Sequence, residues 1–544
     1  MIFAALQQQP VPPPLPLFEE IGEQALPGVR TTCGTSAKDY ILEVNGGGVL
    51  LADFDGDGKT DVVIVDGSTL ARAAKGEPGF PPRLFLGRGD GTFMPAGESW
   101  AMGGGRFGMG GAVGDYDGDG WLDLAITQWG PTRLFHNEAG KGFREVTEKA
   151  GLGPGSWGSS AAFLDYDHDG KLDLFVVNYL EFDPSKVHAR AEGLCNWKGH
   201  PVMCGPQGMT PLRSQLFHGG GDGSFTDVSA AAKLETAAPA FGLGVMTLDF
   251  DGDGDTDIYV TNDSTPNYLW ENLGDGTFRE VGFLRGVSHD ANGKEQASMG
   301  IACADWNGDG RDDLFVTNFS GETKVLYASG KGASFRERST SAGIAGPTMG
   351  LLGWGASFGD YDLDGDLDLA FFDGHVYPEA DLPGTDTSYA QLDYLAENVG
   401  SGRFALRALS ALGPAVSRAS AQADLDGDGD LDLVALRIDG PVRVLRNRAL
   451  HDAAHHWLGV RLRARGGNRF ALGARVTLLW KGGSASAEMR TAGGFQAAVP
   501  PELHFGLGSV SALEKVRVRW PGGVEQDFEA KELDRWLVLE ERAP

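Results

Sequence analysis

A nine-residue acidic pattern occurs seven times along this 544-residue chain, and it limits what the chain can fold into more than any other feature. The copies read DFDGDGKTD, DYDGDGWLD, DYDHDGKLD, DFDGDGDTD, DWNGDGRDD, DYDLDGDLD and DLDGDGDLD, starting at Asp53, Asp115, Asp165, Asp249, Asp305, Asp360 and Asp424. Side-chain oxygens at positions 1, 3 and 5 converge in a tight loop, the backbone carbonyl of position 7 can turn inward, and position 9 closes the shell. Glycine at position 6 takes dihedrals that a side chain would forbid.

Loop one thus offers Asp53, Asp55, Asp57, Lys59 and Asp61, and loop two Asp115, Asp117, Asp119, Trp121 and Asp123. Loop three offers Asp165, Asp167, Asp169, Lys171 and Asp173, and loop four Asp249, Asp251, Asp253, Asp255 and Asp257. Loop five offers Asp305, Asn307, Asp309, Arg311 and Asp313. Loop six offers Asp360, Asp362, Asp364, Asp366 and Asp368, and loop seven Asp424, Asp426, Asp428, Asp430 and Asp432. Lys59, Trp121, Lys171 and Arg311 enter through their carbonyls alone. The hard oxygen donors suit Ca2+, up to seven ions, better than Mg2+, which demands stricter octahedral geometry and keeps its waters. An EF-hand opens in the same way but closes with Glu at position 12 and continues as a helix. Here the loops run into strand-like segments such as Leu122–Ile126 and Asp173–Val177. A single acidic turn of this kind would mean little, and it is the repetition that carries the reading.

The chain is acidic, with 75 Asp and Glu against 46 Lys and Arg and a net charge of −29, so nucleic acid is excluded as a natural partner. Seven bound dications would roughly halve that charge. Four cysteines are too few for a disulfide scaffold. Cys195 and Cys204 read as one local disulfide, with a zinc pair involving His200 as the alternative. Cys303 reads as a buried free thiol or a partner for Cys33. No apolar run is long enough to span a bilayer. Residues 1–16 are apolar, then Pro-rich, and read as the remnant of a signal peptide. Together with the calcium loops, this remnant points to a secreted, periplasmic or cell-surface protein.

The repeat is larger than the loop. The second copy reads as a small-residue strand from Met109, the loop, a strand from Leu124, a strand from Thr132, and a fourth after Gly142. Units of this kind, roughly 50 to 84 residues apart, predict four-stranded blades. The fourth-strand signature recurs at Phe93, Phe143, Phe225, Phe278, Phe335 and Phe404, is missing after loop seven, and reappears in Leu17–Leu26. The predicted fold is therefore all-β, a seven-bladed β-propeller over residues 17–450 closed by an N-terminal strand. Residues 451–544 form a small C-terminal β-sandwich, whose alternating strands at Trp457, Ala474, Lys515 and Arg535 give it a basic face. That face would meet an anionic partner, dock on the acidic propeller, or stay in solvent.

Other stretches are read structurally. The GxGxxG of Gly103–Gly108 precedes a strand, not a helix, so its glycines serve packing near the axis. His375 lacks a nucleophilic partner and reads as a hydrogen-bonding residue. Trp157, Trp270, Trp306 and Trp354 read as packing between blades, with sugar stacking as the alternative.

The strand-DxDxDG-strand unit resembles the FG-GAP (VCBS-type) repeats of integrin α-subunit propellers. The chain as a whole resembles bacterial proteins related to cartilage acidic protein, which join such a propeller to an ASPIC/UnbV domain. Asn178-Tyr179 with Phe182-Asp183-Pro184, Cys204-Gly205-Pro206, Trp306–Gly310, Trp354-Gly355 and Gly374–Pro378 carry the likeness in the propeller. Asn468-Arg469, Gly473–Val476, Leu503–Gly508 and Arg519–Gly522 carry it in the C-terminal domain. Asn307 departs from the pattern, keeping an oxygen but losing a charge. The resemblance implies calcium binding and extracellular interaction, and no defined reaction. The expected function is a monomeric, calcium-stabilised binding or adhesion module for an extracellular protein or glycan. The alternative is an enzyme acting on polysaccharide, a lyase or hydrolase. No HExxH or GxSxG supports it, and no catalytic residue is assigned.

Overall fold

In a computed structural model of the chain, residues 18–153, 155–449 and 455–543 are described. The tail assigned to residues 1–16 lies outside them. The repeats form seven antiparallel sheets whose strands pair in chain order. Sheet one holds Gly48–Ala52, Asp61–Val65, Arg83–Gly87 and Phe93–Pro95, and sheet two holds Phe107–Gly114, Asp123–Trp129, Arg133–Asn137 and Phe143–Glu145. Sheets three to six repeat this order with first strands at Gly158–Leu164, Gly242–Leu248, Ser298–Ala304 and Gly353–Gly359. In sheet seven, Ser417–Ala423, Asp432–Arg437 and Arg443–Arg446 gain a fourth strand from the N-terminus, with Glu19 opposite Arg446 and Glu20 opposite Leu445.

The first strands are buried along most of their length, and most are rich in Gly, Ala or Ser, which lets them crowd together. Each packs against the first strand of the next sheet, and Ser417–Ala423 packs against Gly48–Ala52. Hydroxyls bolt neighbouring sheets together. Thr127 Oγ1 donates to Ser159 O, Thr261 Oγ1 to Met299 O and Thr317 Oγ1 to Trp354 O, all buried. Trp157, Trp270, Trp306 and Trp354 are likewise buried and serve packing.

The C-terminal region forms the two expected sheets, one of Leu503–Gly508, His456–Arg463 and Trp536–Glu540, the other of Gly483–Glu488, Arg475–Trp480, Lys515–Arg519 and Glu525–Phe528. One segment leaves this sandwich. Residues 491–499 enter the middle of the ring, where Ala497–Ala498 pairs in parallel with Val49 and Leu50 and makes sheet one five-stranded. Val49 N–H donates to Gln496 O, Val245 N–H to Gly494 O, and Gln496 N–H to Ser160 Oγ. Phe495, fully buried, packs on Trp354 with ring centroids 4.9 Å apart. Side chains cannot pass at Gly494, with φ +84°, where a Cβ would lie 2.2 Å from Ile301 O.

The cysteine readings separate. Cys195 and Cys204 are disulfide-bonded, and His200 Nε2 donates to Pro383 O rather than joining a zinc site. Cys33 and Cys303 are both free thiols, Cys33 buried but Cys303 only half-buried.

Candidate metal loops and the opposite axial pocket

Each acidic loop joins the first and second strands of its sheet, and position 9 is the first residue of the second strand. All seven share one hydrogen-bond frame. The position-1 carboxylate accepts the N–H of the position-6 glycine, at 2.9 Å for Asp53 and Gly58, 2.9 Å for Asp115 and Gly120, and 3.1 Å for Asp165 and Gly170. Asp249, Asp305, Asp360 and Asp424 do the same with Gly254, Gly310, Gly365 and Gly429. These glycines have φ between 78° and 104°, so the frame requires them. The position-5 carboxylate accepts the N–H of position 7 throughout, as Asp57 does from Lys59 and Asp119 from Trp121.

Position 9 ties the loop to its own sheet. One oxygen of Asp61, Asp123, Asp173, Asp257, Asp313, Asp368 and Asp432 accepts an N–H from the third strand or the residue that follows it: Gly87, Asn137, Gly219, Asn272, Ser329, Asn398 and Asn447 respectively. The other oxygen accepts the N–H of position 2 in six loops. Loop five differs, because Asn307 Nδ2 donates to Asp313 Oδ2 at 2.7 Å and fills that role with its amide.

Within a loop the carboxylates of positions 1, 3 and 5 approach one another closely. In Asp53/Asp55/Asp57, Asp115/Asp117/Asp119 and Asp165/Asp167/Asp169, one oxygen of each residue lies within 4.8 Å of the others. Burial pushes the position-9 acids up, to about 8 for Asp61, Asp123, Asp173 and Asp313. It raises Asp257, Asp368 and Asp432 well above the usual range. Burial, then the neighbouring acids, raises Asp115 to about 7. Asp115 Oδ1 and Asp165 Oδ1 are buried without a hydrogen-bond partner. Convergent oxygens, uncompensated burial and orphaned acceptors fit a hard dication at this position. Lys59, Lys171 and Arg311 turn their side chains onto Asp57, Asp169 and Asp309, leaving only their carbonyls for a cation.

Residues that the sequence pattern did not flag complete these surroundings. Asn137, Asn272 and Asn398 end third strands and Asn447 directly follows one, and their side-chain amides donate to the position-2 carbonyl of the preceding loop: Phe54, Tyr166, Trp306 and Tyr361. The signal was present as repeated F-H-N, W-E-N, A-E-N and L-R-N endings. Their register against the loop is visible only in three dimensions.

The basic face of the C-terminal domain docks on the loops. Arg519 reaches Asp249 Oδ2 at 2.5 Å, Arg475 and Arg490 both reach Asp312, and Asp249 N–H donates to Glu488. Arg469 donates to Gly118 O, Asn468 N–H to Gly170 O, His504 to Gly429 O, and Trp536 Nε1 to Asp424.

The second strands lead away from the loops to the opposite face, where a cavity of about 410 Å³ opens near the axis. Tyr179, Asp263, Phe319, Trp354 and Tyr377 line it, and Trp197 of the disulfide-closed insert forms part of its wall. Tyr179 Oη donates to Asp263 Oδ2 at 2.6 Å. Trp197 packs on His375 with ring centroids 4.7 Å apart. His375 is fully buried, contacts Ser320 through Nε2 and accepts the Tyr377 N–H at Nδ1. Burial, then the nearby Arg418 charge, pushes its pKa down to about 3, so it is a neutral structural residue.

Sheets of four strands, each with a DxDxDG loop between its first two, define a propeller-like repeat protein with a C-terminal β domain. The chain carries FG-GAP-like repeats, matched at residues 53–126, 115–176, 249–316 and 305–371, followed by an ASPIC and UnbV domain at 464–544. It is similar to cartilage acidic protein 1 of Xenopus tropicalis, 28% identical over 305 residues that make up 54% of this chain and 44% of that protein. The Homo sapiens protein of the same name is 28% identical over 291 residues, 52% of this chain and 41% of the relative. The chain thus spans less than half the length of these relatives. Among solved structures, an Agrocybe aegerita lectin described as recognising non-reducing terminal N-acetylglucosamine has 16% identity and a TM-score of 0.40, over 73% of this chain and 86% of the lectin.

Proposed function

We propose that this chain is a calcium-stabilised interaction module that works outside the cytosol and binds a protein or glycan through the face opposite its metal loops. The observation that carries the reading is the common frame of the seven loops, which holds carboxylates together and buries the position-9 acid at a depth that raises its pKa, a cost that a bound cation would offset. The C-terminal domain covers the loop face, and this directs attention to the axial pocket and its disulfide-closed rim. A disulfide suits an oxidising compartment. No helix among the described residues is long and apolar enough to cross a membrane. The polysaccharide-enzyme alternative gains nothing from His375, whose two nitrogens are both engaged.

The test is thermal unfolding of purified full-length protein, metal-free and in millimolar calcium, with bound metal counted in the same sample. A steep rise in midpoint with close to seven ions per chain supports the reading. Each ion bound only by the folded state adds on the order of 1–3 kcal/mol well above its dissociation constant. An unchanged midpoint with no retained ion ends it.

A further inference from the structure

The position-9 carboxylates fix a register that makes the seven loops comparable. Because each accepts an N–H from the third strand or the residue that follows it, the residue just before that donor stands beside the loop. In order, these residues are Leu86, His136, His218, Glu271, Ala328, Glu397 and Arg446. Leu86 and Ala328 offer no donor. Glu271 is held by Arg279 and Arg285, Glu397 by Arg407, and Arg446 is itself a cation. At this third-strand position only loops two and three carry an imidazole; His168, from loop three itself, instead reaches Asp255 Oδ1 of loop four at 2.7 Å.

Both rings point their Nδ1 at loop oxygens. His136 Nδ1 lies 3.2 Å from Asp117 Oδ2 and 3.5 Å from Asp123 Oδ1. His218 Nδ1 lies 3.1 Å from Asp173 Oδ1 and 3.4 Å from Asp167 Oδ2. In each set one donor atom per residue falls within 4.8 Å of the others. Both loops also hold an orphaned position-1 acceptor, as loop seven holds one at position 3, Asp426 Oδ1: Asp115, 0% exposed, and Asp165, 4% exposed, each have an Oδ1 without a donor among the described residues. Donors about 3.0–3.5 Å apart are the edges expected of a shell with bonds of about 2.1 Å.

We propose that loops two and three are mixed nitrogen–oxygen sites that select a first-row transition dication of the zinc or cobalt kind over calcium. The inference rests on the reading of the loops as cation sites and assigns two of them a different ion. Calcium takes oxygen donors and gains little from an imidazole, whereas Co2+ and Zn2+ bind imidazole nitrogen well. The five loops without a third-strand histidine keep the oxygen donors that suit calcium.

The competing arrangement is a protonated histidine that only balances the loop charge, and it predicts no preference among metals. Full-length protein, stripped by chelator and dialysed into millimolar calcium with micromolar Co2+, separates the two. The expected result is two cobalt ions per chain by elemental analysis, with the visible absorption of nitrogen-ligated Co2+. His136→Leu and His218→Leu should each lose one, and the double variant both, with calcium at the other loops unchanged. As a check that needs no mutation, Cu2+ loaded at two equivalents should show imidazole nitrogen in its spin-echo modulation. Wild-type protein that retains no cobalt in calcium, a double variant that retains as much as wild type, or Cu2+ without imidazole coupling each overturns the proposal. Two cobalt ions retained by a protein that binds no calcium would sustain this inference and end the calcium reading. Seven calcium ions and no cobalt would do the reverse.

Discussion

Asn137 shows how much of the loop architecture rests on residues outside it. It is fully buried, and its Nδ2 donates to Phe54 O of loop one at 2.9 Å and to Leu122 O of loop two at 3.0 Å. Asn137→Ala leaves both carbonyls buried and unpaired and should cost about 1–3 kcal/mol, read as a lower denaturant midpoint in saturating calcium. A second residue-scale prediction concerns Asp312, which lies outside the ligand positions. It is pulled up by burial and down by Arg490 and Arg475, with the arginines prevailing. Asp312→Asn breaks this buried network and should cost about 3–5 kcal/mol by the same measurement. At this scale the sequence exposed what repeats at fixed spacing. The ligand aspartates and turn glycines were legible because loop chemistry is local. His136, His218 and the third-strand asparagines were not, because their role depends on a strand register some fourteen to forty-six residues away. The sequence presents Asn307 as a weakened ligand, whereas its amide also stands in for a backbone donor.

On the proposed calcium reading, the loop as an element ties metal binding to pH. Asp61, Asp123, Asp173 and Asp313 are pushed to about 8 by burial, from an ordinary value of 3.8. Between those values the metal-free fold keeps protons that the unfolded chain has released, so its stability falls as pH rises and levels off above about 8. A bound cation holds these acids ionised and removes the loss. The midpoint gain from calcium should therefore be larger at pH 8 than at pH 5.5, and binding at pH 7 should release protons measurable in a weakly buffered titration. Equal gains at both pH values would mean that these carboxylates do not face the ion. The four-stranded unit itself was readable from its Gly-x-Phe ending and from the strand-like run after each loop. The excursion of residues 491–499 was not, since Thr-Ala-Gly-Gly-Phe-Gln-Ala-Ala-Val has the composition of an ordinary loop and its strand partners lie in another domain.

At the scale of the whole molecule, the expectation of two adjoining domains understates how far they share a core. Tyr116, Phe163 and Phe217 of the repeat region belong to the same buried cluster as Leu458, Val476, Val518 and Trp520 of the C-terminal domain. Glu488 is buried and Arg490 largely so beside Asp312, and Phe495 and Gln496 are fully buried among first strands of the ring. Neither part can unfold without exposing apolar surface and charged groups of the other, which makes the interface a cooperative element rather than a tether. Calorimetry of the full chain in calcium should therefore show one transition. Phe495→Ala, which empties a large side chain from the axis at a typical cost of about 3–5 kcal/mol, should lower that transition or split it in two. Two independent peaks in the wild type would mean that the C-terminal domain is a removable cap. The loop face would then be open to partners, and the argument that recognition belongs to the opposite face would lose its basis. A single peak would leave Trp197 and its neighbours as the accessible axial surface, so that Trp197→Ala should abolish ligand capture while leaving the transition and the metal count as they were.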